Sequence, residues 1–255
     1  MSTNLKELKK IKIGAVSYLN TKPLLYGIKQ SSIIHEIELI EDYPANLATM
    51  LMNNEIDVGL VPVAVIPHLI QPHIISDYCI GANGNVASVC LFSETDLDNI
   101  ETILLDYQSR TSVALCKVLV KHYWEKSNIV FKDGGKDFRN EIKGTTAGVI
   151  IGDRALEQRQ NTALHIYDLA EEWLHFTQLP FVFAAWVANK KLDDTFIENF
   201  NKANALGLEN IDKVVAEENY STYNLHQYYT QNISYILDEE KRKGLQLFLE
   251  YLKTI

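Results

Sequence analysis

Short apolar runs alternate with amphipathic segments in the first third of the chain. Residues 11–16, 36–40 and 58–61 are apolar runs of strand length, and the segments between them have helical spacing. Thr21 precedes a predicted helix in which Pro23 occupies an early turn, where its missing N–H does no harm. This alternation predicts parallel strands joined by helices that pack on the sheet.

A second series of the same kind begins after Phe92. Its strand candidates, separated by helical stretches, are residues 103–105, 129–131, 149–151 and 165–167. The clearest helix is predicted over residues 111–126, where apolar side chains recur every three or four positions. The nearly continuous apolar run at 181–187 indicates a buried strand, and helices are predicted over 196–218 and 238–253.

The two series predict an α/β protein with two lobes and a ligand cleft between them. We expect residues 1–92 and 187–255 to form the first lobe, with its C-terminal helices, and residues 93–186 to form the second. The chain would cross between the lobes near residues 90–93 and 184–188. A cleft of this kind is a common ligand site. A single continuous doubly wound sheet is the alternative, which periodicity alone does not exclude.

Charge and hydropathy exclude several classes of protein. A net charge of −9 argues against a nucleic-acid partner, because phosphate neutralisation requires a basic surface. The polar N-terminal segment has no apolar stretch typical of a signal peptide, so we expect a cytoplasmic location. No window approaches the roughly 18 to 20 apolar residues of a membrane span. Cys79, Cys90 and Cys116 lie in apolar contexts that indicate buried free thiols.

The segment 17–21 follows the first predicted strand and opens the first predicted helix. Ser17, Tyr18, Asn20 and Thr21 place hydroxyls, an amide and backbone N–H groups at the carboxyl edge of the sheet, where open α/β sheets bind ligands. A carboxylate there would gain from unpaired N–H donors and the helix dipole. Simple capping of the helix by Thr21 or Ser17 is the alternative.

The segment 106–112 repeats this arrangement in the second series. Ser109, Thr111 and Ser112 supply hydroxyls at the start of the clearest helix, and Arg110 could form a bidentate pair with a carboxylate. The alternative is an ion pair of Arg110 with Asp106 or Asp153, plus a Ser or Thr cap. The sequence leaves both interpretations open.

Two further segments carry polar side chains next to predicted strands. Asn83, Gly84 and Asn85 precede a strand that bears Ser88, although Asn and Gly are also ordinary turn residues. Asp153 follows the run at 149–151 and is either a helix cap or a cleft residue. The seven histidines show no zinc spacing, and nucleotide-binding or nucleophile-elbow motifs are absent from the sequence.

Several of these segments together resemble the chorismate dehydratases of the futalosine route to menaquinone. The matching stretches occur in the family's order over roughly residues 11–190, and they are residues 16–24 (VSYLNTKPL), 55–63 (EIDVGLVPV), 83–84 (NG), 105–106 (LD), 109–112 (SRTS), 150–156 (IIGDRAL) and 179–184 (LPFVFA). The resemblance implies a fold like the type II periplasmic binding proteins, with catalysis in place of solute capture.

The resemblance also implies the reaction and its cofactor requirement. The family removes water from chorismate to give 3-(1-carboxyvinyloxy)benzoate, and no cofactor is needed because loss of the C4 hydroxyl with the C3 hydrogen makes the ring aromatic. The enzyme then has to position and desolvate the substrate and help a proton move. We expect chorismate to be the partner of a monomer or a homodimer.

The site residues follow from the matched segments. We predict Asn20, Ser88 and Asp153 to be catalytic, and the base to be either Asp153 or a carboxylate of the substrate itself. The predicted substrate-binding residues are Ser17, Tyr18, Asn83, Gly84, Asn85, Ser109, Arg110, Thr111 and Ser112. No metal is expected.

Three other functions fit parts of the pattern. A non-catalytic binding protein for a small carboxylate would share the cleft, and the related 1,4-dihydroxy-6-naphthoate synthase would share the fold but not the segment 17–20. A ligand-sensing regulator would need a DNA-binding module, for which the sequence before residue 11 has no room.

Overall fold

The computed structural model describes residues 10–162 and 164–255. Residues 1–9, which the sequence analysis assigned to the first lobe and used to argue against a signal peptide, lie outside the described residues. The strands are β1 (Ile11–Val16), β2 (Ile37–Asp42), β3 (Val58–Pro62), β4 (His73–Ala82), β5 (Val89–Ser93), β6 (Thr102–Leu105), β7 (Val130–Asp133), β8 (Thr146–Ile151), β9 (His165–Asp168), β10 (Phe181–Ala188) and β11 (Ser234–Ile236).

The helices lie between and after these strands. They are α1 (Lys22–Gln30), α2 (Pro44–Met52), α3 (Thr111–His122), α4 (Asp153–Gln158), α5 (Leu169–Thr177), α6 (Asp194–Leu208), α7 (Ile211–Glu217), α8 (Leu225–Gln227) and α9 (Glu239–Tyr251). A π-helical turn, Tyr228–Asn232, continues α8. None of the helices in the described part of the chain is long and apolar enough to cross a membrane.

The strands form two separate sheets, so the alternative of one continuous sheet is wrong. The first sheet has six strands in the order β11-β4-β10-β3-β1-β2, and the second has five in the order β7-β6-β8-β5-β9. We call the parts of the chain built on these sheets the first and second lobes. Strand β1 pairs in parallel with β2 and β3, whereas β10 runs antiparallel to β3 and β4.

The chain changes sheets slightly earlier than the sequence indicated. Strand β5 already belongs to the second sheet and β10 lies wholly in the first. The crossings are therefore residues 83–88 and 178–180, where we had expected 90–93 and 184–188. Burial explains the difference, because β5 is buried throughout and β10 almost throughout. An apolar run of this kind predicts a strand but not the sheet in which it pairs.

Two helices are shorter than their apolar spacing predicted. Helix α3 ends at His122 because the chain turns there, and Glu125 adopts a positive φ of 52°. The helix predicted over 196–218 is interrupted between α6 and α7, where Asn210 is non-helical with φ −118° and ψ 29°. Apolar periodicity continues across such breaks because both helices pack on the same core.

Candidate active site

A cleft of about 580 Å³ lies between the two sheets. Its walls come from the carboxyl ends of β1, β3 and β8, from β5 and β10, and from the first turn of α3. The lining residues are Val16, Tyr18, Asn20, Thr21, Pro44, Leu60, Pro62, Ile80, Val86, Ser88, Val89, Ser109, Thr111, Ser112, Ile151, Gly152, Phe183 and Ala184.

The lining of the cleft is electrically neutral. Among the described residues that form it there is no aspartate, glutamate, lysine, arginine or histidine, and its polar groups are hydroxyls and one amide. An anion in this cleft would therefore be held by hydrogen bonds and by the dipole of α3, whose positive end faces it. In the part of the chain that the structure describes, no cluster of three metal-ligating side chains occurs.

Asn20 faces the cleft from the short turn Leu19–Thr21 that follows β1. Its Oδ1 accepts a hydrogen bond from Thr21 Oγ1 at 3.1 Å, and its main-chain carbonyl accepts one from Tyr235 Oη at 2.9 Å. Thr21 makes no side-chain cap to α1, so the capping alternative fails for this residue. Both oxygens of Asn20 thus accept hydrogen bonds within the protein, so the groups that it can offer to a ligand are its side-chain amide N–H groups.

Ser88 faces the cleft from the crossing that precedes β5 and is only 1% exposed. Its Oγ accepts a hydrogen bond of 2.7 Å from Tyr228 Oη. The preceding residue, Ala87, has a positive φ of 63°, which is uncommon for a residue with a Cβ. The surrounding structure therefore holds this short segment in an unfavourable backbone conformation that presents Ser88.

Three hydroxyls at the start of α3 line the opposite wall. Ser109 Oγ accepts a hydrogen bond from the backbone N–H of Ser112 at 3.1 Å, which caps the helix, and Thr111 Oγ1 accepts one from Ala64 N at 3.2 Å. Because Ala64 belongs to the first lobe, the second contact also joins the lobes. The structure thus brings Ser109, Thr111 and Ser112 to the same cleft as Asn20, as the sequence predicted.

The structure does not bring Arg110 to the cleft, which corrects the placement that we expected. Arg110 is exposed and lines a depression on the outer surface of the second lobe. The alternative ion pair of Arg110 with Asp106 is also not seen, because the Asp106 carboxylate pairs with Arg154 instead. Side chains around a helix start point in different directions, and those of Ser109 and Ser112 lie on one face.

Four other predicted binding residues do not line the cleft. Ser17 and Asn83 are exposed, and Gly84 has a φ of +140° that suits a turn. Asn85 accepts hydrogen bonds from Asn232 Nδ2 through its carbonyl and its Oδ1, at 3.1 and 3.3 Å. The segment 83–85 therefore shapes the crossing that carries Ser88.

Asp153 lies between the lobes but outside the cleft lining. Its Oδ1 accepts a hydrogen bond from the backbone N–H of Leu19 at 3.3 Å, so it fixes the turn that carries Asn20. Burial raises the pKa of Asp153, and the Leu19 N–H partly opposes this. The geometry fits a carboxylate that positions the first-lobe turn, and its predicted role as a base stays a prediction.

A hydrogen-bonded network that the sequence analysis missed links the lobes at the edge of the cleft. Tyr18 Oη donates to Gln108 Oε1 at 2.6 Å, and Arg154 Nη2 donates to the same oxygen at 2.9 Å. Arg154 also pairs with the buried carboxylate of Asp106 at 2.7 Å. Asp106 directly follows β6, and Arg154 lies in the first turn of α4, just after β8. Strands β6 and β8 are neighbours in the sheet, and this adjacency was the available signal.

A second buried carboxylate, Asp168, was also missed. Its oxygens accept hydrogen bonds from the backbone N–H groups of Val86 and Ala87, at 3.1 and 2.7 Å, and from the first turn of α5. Arg159 lies 3.8 Å away. Burial raises the pKa of Asp168 to about 6, although the N–H donors and Arg159 oppose this. Asp168 therefore anchors the crossing that presents Ser88.

The same architecture and the same sequence pattern occur in known proteins. A family model described as menaquinone biosynthesis matches residues 11–254, which include both lobes and every residue of the cleft. The chain belongs to the menaquinone biosynthesis family. This confirms the resemblance that the motifs indicated, and the match extends beyond the segment 11–190 that carried them.

Relatives of this menaquinone biosynthesis family member agree in sequence and in fold. A chorismate dehydratase of Thermus thermophilus is 26% identical over 263 residues, and the alignment covers 94% of both chains. The crystal structure of an Archaeoglobus fulgidus protein superposes with a TM-score of 0.76 at 14% identity, covering 96% of this chain and 97% of that one.

Two further structures show which fold this is. A Candida albicans protein described as having the generic periplasmic binding protein fold gives a TM-score of 0.61 at 14% identity, with 97% and 91% of the chains covered. The periplasmic aliphatic sulphonate binding protein of Escherichia coli gives 0.53 at 14% identity, with 95% and 83% covered. The predicted periplasmic-binding-protein-like fold is therefore confirmed.

Proposed function

We propose that this protein is a chorismate dehydratase, a carbon–oxygen lyase that acts in menaquinone biosynthesis in the cytoplasm. The observation that carries the proposal is the cleft itself, in which Asn20 and Ser88 face the hydroxyls of Ser109, Thr111 and Ser112. Its support comes from the family match over residues 11–254 and from the chorismate dehydratase of Thermus thermophilus, which aligns over nearly the whole chain.

Chorismate suits the chemistry of this cleft. One carboxylate would accept hydrogen bonds from the N-terminal turn of α3 and its hydroxyls, while the apolar walls formed by Leu60, Ile80 and Phe183 would contact the ring. Asn20 and Ser88 would donate to oxygens on the other side of the substrate. Closing the lobes would exclude water and strengthen each of these hydrogen bonds.

The reaction needs one proton to leave C3 and one hydroxide to leave C4 of the ring. Together they form water, and the remaining electrons complete the aromatic ring of 3-(1-carboxyvinyloxy)benzoate. Since no carboxylate or imidazole of the described residues lines the cleft, we propose that a carboxylate of chorismate takes the C3 proton. Asp153 would instead hold the turn that presents Asn20.

Incubation of the purified protein with chorismate tests the proposal. We expect an aromatic product whose mass is lower than that of chorismate by one water, with no nucleic acid or added cofactor present. Binding of chorismate without conversion would indicate a carboxylate-binding protein, and failure to bind it would refute the proposal.

Asn20→Ala tests the site. Loss of one donor to a transition-state oxygen costs roughly 10²–10³ in kcat, so we expect a loss of at least a hundredfold. The matched control is Asn99→Ala, because Asn99 is an exposed turn residue of the second lobe whose one hydrogen-bond partner among the described residues is Asp96. Near-normal turnover of Asn20→Ala in a folded protein would remove Asn20 from the site.

A further inference from the structure

The segment that follows α7 packs behind the cleft and contacts residues that line it. This segment contains α8, the π-helical turn Tyr228–Asn232 and β11. Two of its tyrosines contact the two central cleft residues from behind, because Tyr228 donates to Ser88 Oγ and Tyr235 donates to the carbonyl of Asn20. Sequence motifs did not reveal these contacts, since Tyr228 lies 140 residues from Ser88.

The contact between Tyr228 and Ser88 is buried and short. Tyr228 is 0% exposed and Ser88 is 1% exposed, and their oxygens are 2.7 Å apart. Burial holds the pKa of Tyr228 well above its ordinary value, although the contact with Ser88 opposes this, so the phenol is protonated and can donate to Ser88 Oγ. A serine hydroxyl has one hydrogen and two acceptor positions, and this contact uses one acceptor position.

The hydrogen of the Ser88 hydroxyl therefore remains available. Within the described part of the chain, no residue accepts a hydrogen bond from Ser88 Oγ, and the residue lines the cleft. Because the phenol occupies one acceptor position of Oγ, the hydroxyl hydrogen takes one of the two remaining staggered positions and can be offered to a ligand in the cleft. A free hydroxyl could instead rotate and offer a lone pair to the same ligand.

The π-helical turn is held against this crossing by further contacts. Asn232 Nδ2 donates to Asn85, and Tyr223 Oη donates to Asn232 Oδ1 at 3.2 Å. The ring of Tyr223 packs edge-on against Tyr228 at 6.1 Å between centroids. The position of the Tyr228 phenol is thus fixed by its own segment rather than by Ser88 alone. π-helical turns occur frequently at functional sites.

We propose that Tyr228 is a positioning residue that fixes the hydroxyl of Ser88 as a hydrogen-bond donor to an oxygen of the substrate. The proposal rests on the proposed dehydration of chorismate. It concerns a residue that does not touch the substrate, so its effect on turnover must pass through Ser88. A residue that merely packs against the crossing would affect turnover whether or not Ser88 keeps its hydroxyl.

A double-mutant cycle on kcat/KM for chorismate separates these two roles. Tyr228→Phe keeps the ring and removes the donor, and we expect a loss of about tenfold, the typical size of one hydrogen bond. Ser88→Ala should lose more, and the double variant should match Ser88→Ala. The proposal would be overturned if Tyr228→Phe caused the same tenfold loss in the wild type and in Ser88→Ala, or if it caused no loss in the wild type.

Tyr229→Phe is the matched control. Tyr229 is the next residue and is also buried, but its hydroxyl has no hydrogen-bond partner among the described residues. We expect Tyr229→Phe to retain wild-type turnover. A loss equal to that of Tyr228→Phe would mean that any lost phenol in this turn disturbs the cleft, which would also overturn the proposal.

A measurement without substrate keeps this test separate from the proposed function. In the wild-type protein labelled at tyrosine, the phenolic proton of Tyr228 should exchange slowly and give a downfield NMR resonance, which should shift in Ser88→Ala. An unchanged resonance would overturn the contact even if chorismate is converted or Tyr228→Phe does not fold. A wild-type protein that shows this resonance but leaves chorismate intact would instead refute the dehydratase assignment.

Discussion

Asp168 provides a test of whether burial or hydrogen bonding dominates at the crossing behind Ser88. Its carboxylate accepts backbone hydrogen bonds that favour the charged form, yet it is 3% exposed, and burial favours the neutral form. The pKa is raised from 3.8 to about 6. A shift of about two pH units corresponds to about 3 kcal/mol.

The sign of the effect on stability follows from proton binding. Below pH 3.8 the carboxyl is protonated in both the folded and the unfolded chain. As the pH rises toward about 6, the unfolded chain loses this proton while the folded chain keeps it, so the free energy of unfolding falls. Above this window, the free energy of unfolding is about 3 kcal/mol lower than at acid pH because of Asp168.

Asp168→Asn removes the titration while keeping the shape of the neutral side chain. The free energy of unfolding of Asp168→Asn minus that of the wild type should rise by about 3 kcal/mol between about pH 3.5 and pH 7. Urea denaturation across this range measures it, and groups such as Asp153 largely cancel because both proteins contain them. A direct NMR titration placing the pKa of Asp168 below 3.8, or a difference that falls with pH, would refute the reasoning.

Three further substitutions test contacts around the cleft. Tyr18→Phe removes the 2.6 Å hydrogen bond to Gln108 that joins the lobes. This hydrogen bond contributes about 1 kcal/mol, so its loss should raise the dissociation constant of chorismate, measured by calorimetry, about fivefold. An unchanged affinity would contradict a role of Tyr18 in linking the lobes. Gly152→Ala places a Cβ at φ +64° and ψ −147°. We expect urea denaturation to show a loss of about 1–3 kcal/mol, and wild-type stability would argue against backbone strain there. Tyr229→Phe removes a buried hydroxyl that has no partner among the described residues, so its free energy of unfolding should be unchanged or higher by up to about 1 kcal/mol; a clear loss would reveal a missed partner.

The elements predicted most closely are those with an unbroken apolar pattern. Strand β1 agrees with its apolar run, of which residues 13–16 are buried, and the start of α3 agrees with its helical spacing. Strand β4 was not predicted, since Ser76 and Asp77 interrupt its apolar run. Both side chains have partners in the fold, where Asn201 of α6 contacts them, and such long-range contacts leave no local pattern.

The site was predictable to the extent that it lies at strand ends. Asn20 and Ser109 follow β1 and β6, and position relative to a strand was enough to bring them to one cleft. The direction of a single side chain was not predictable, as Arg110 shows. The supporting contacts of Asp168 and Tyr228 were also not predictable from the sequence, because they connect segments that are 81 and 140 residues apart.

The neutral lining of the cleft bears directly on how a proton could leave chorismate. Had Arg110 faced the cleft, its guanidinium would have paired with a carboxylate of the substrate and lowered the pKa of that carboxylate by about 1–3 units. A carboxylate held only by hydroxyls, amides and a helix dipole keeps more of its basicity in a space from which water is excluded. The exposed position of Arg110 is therefore compatible with binding a dianion, and it favours a mechanism in which the substrate supplies its own base. By the same argument, a lysine or arginine introduced at Ser109 would tighten binding of chorismate while slowing its dehydration.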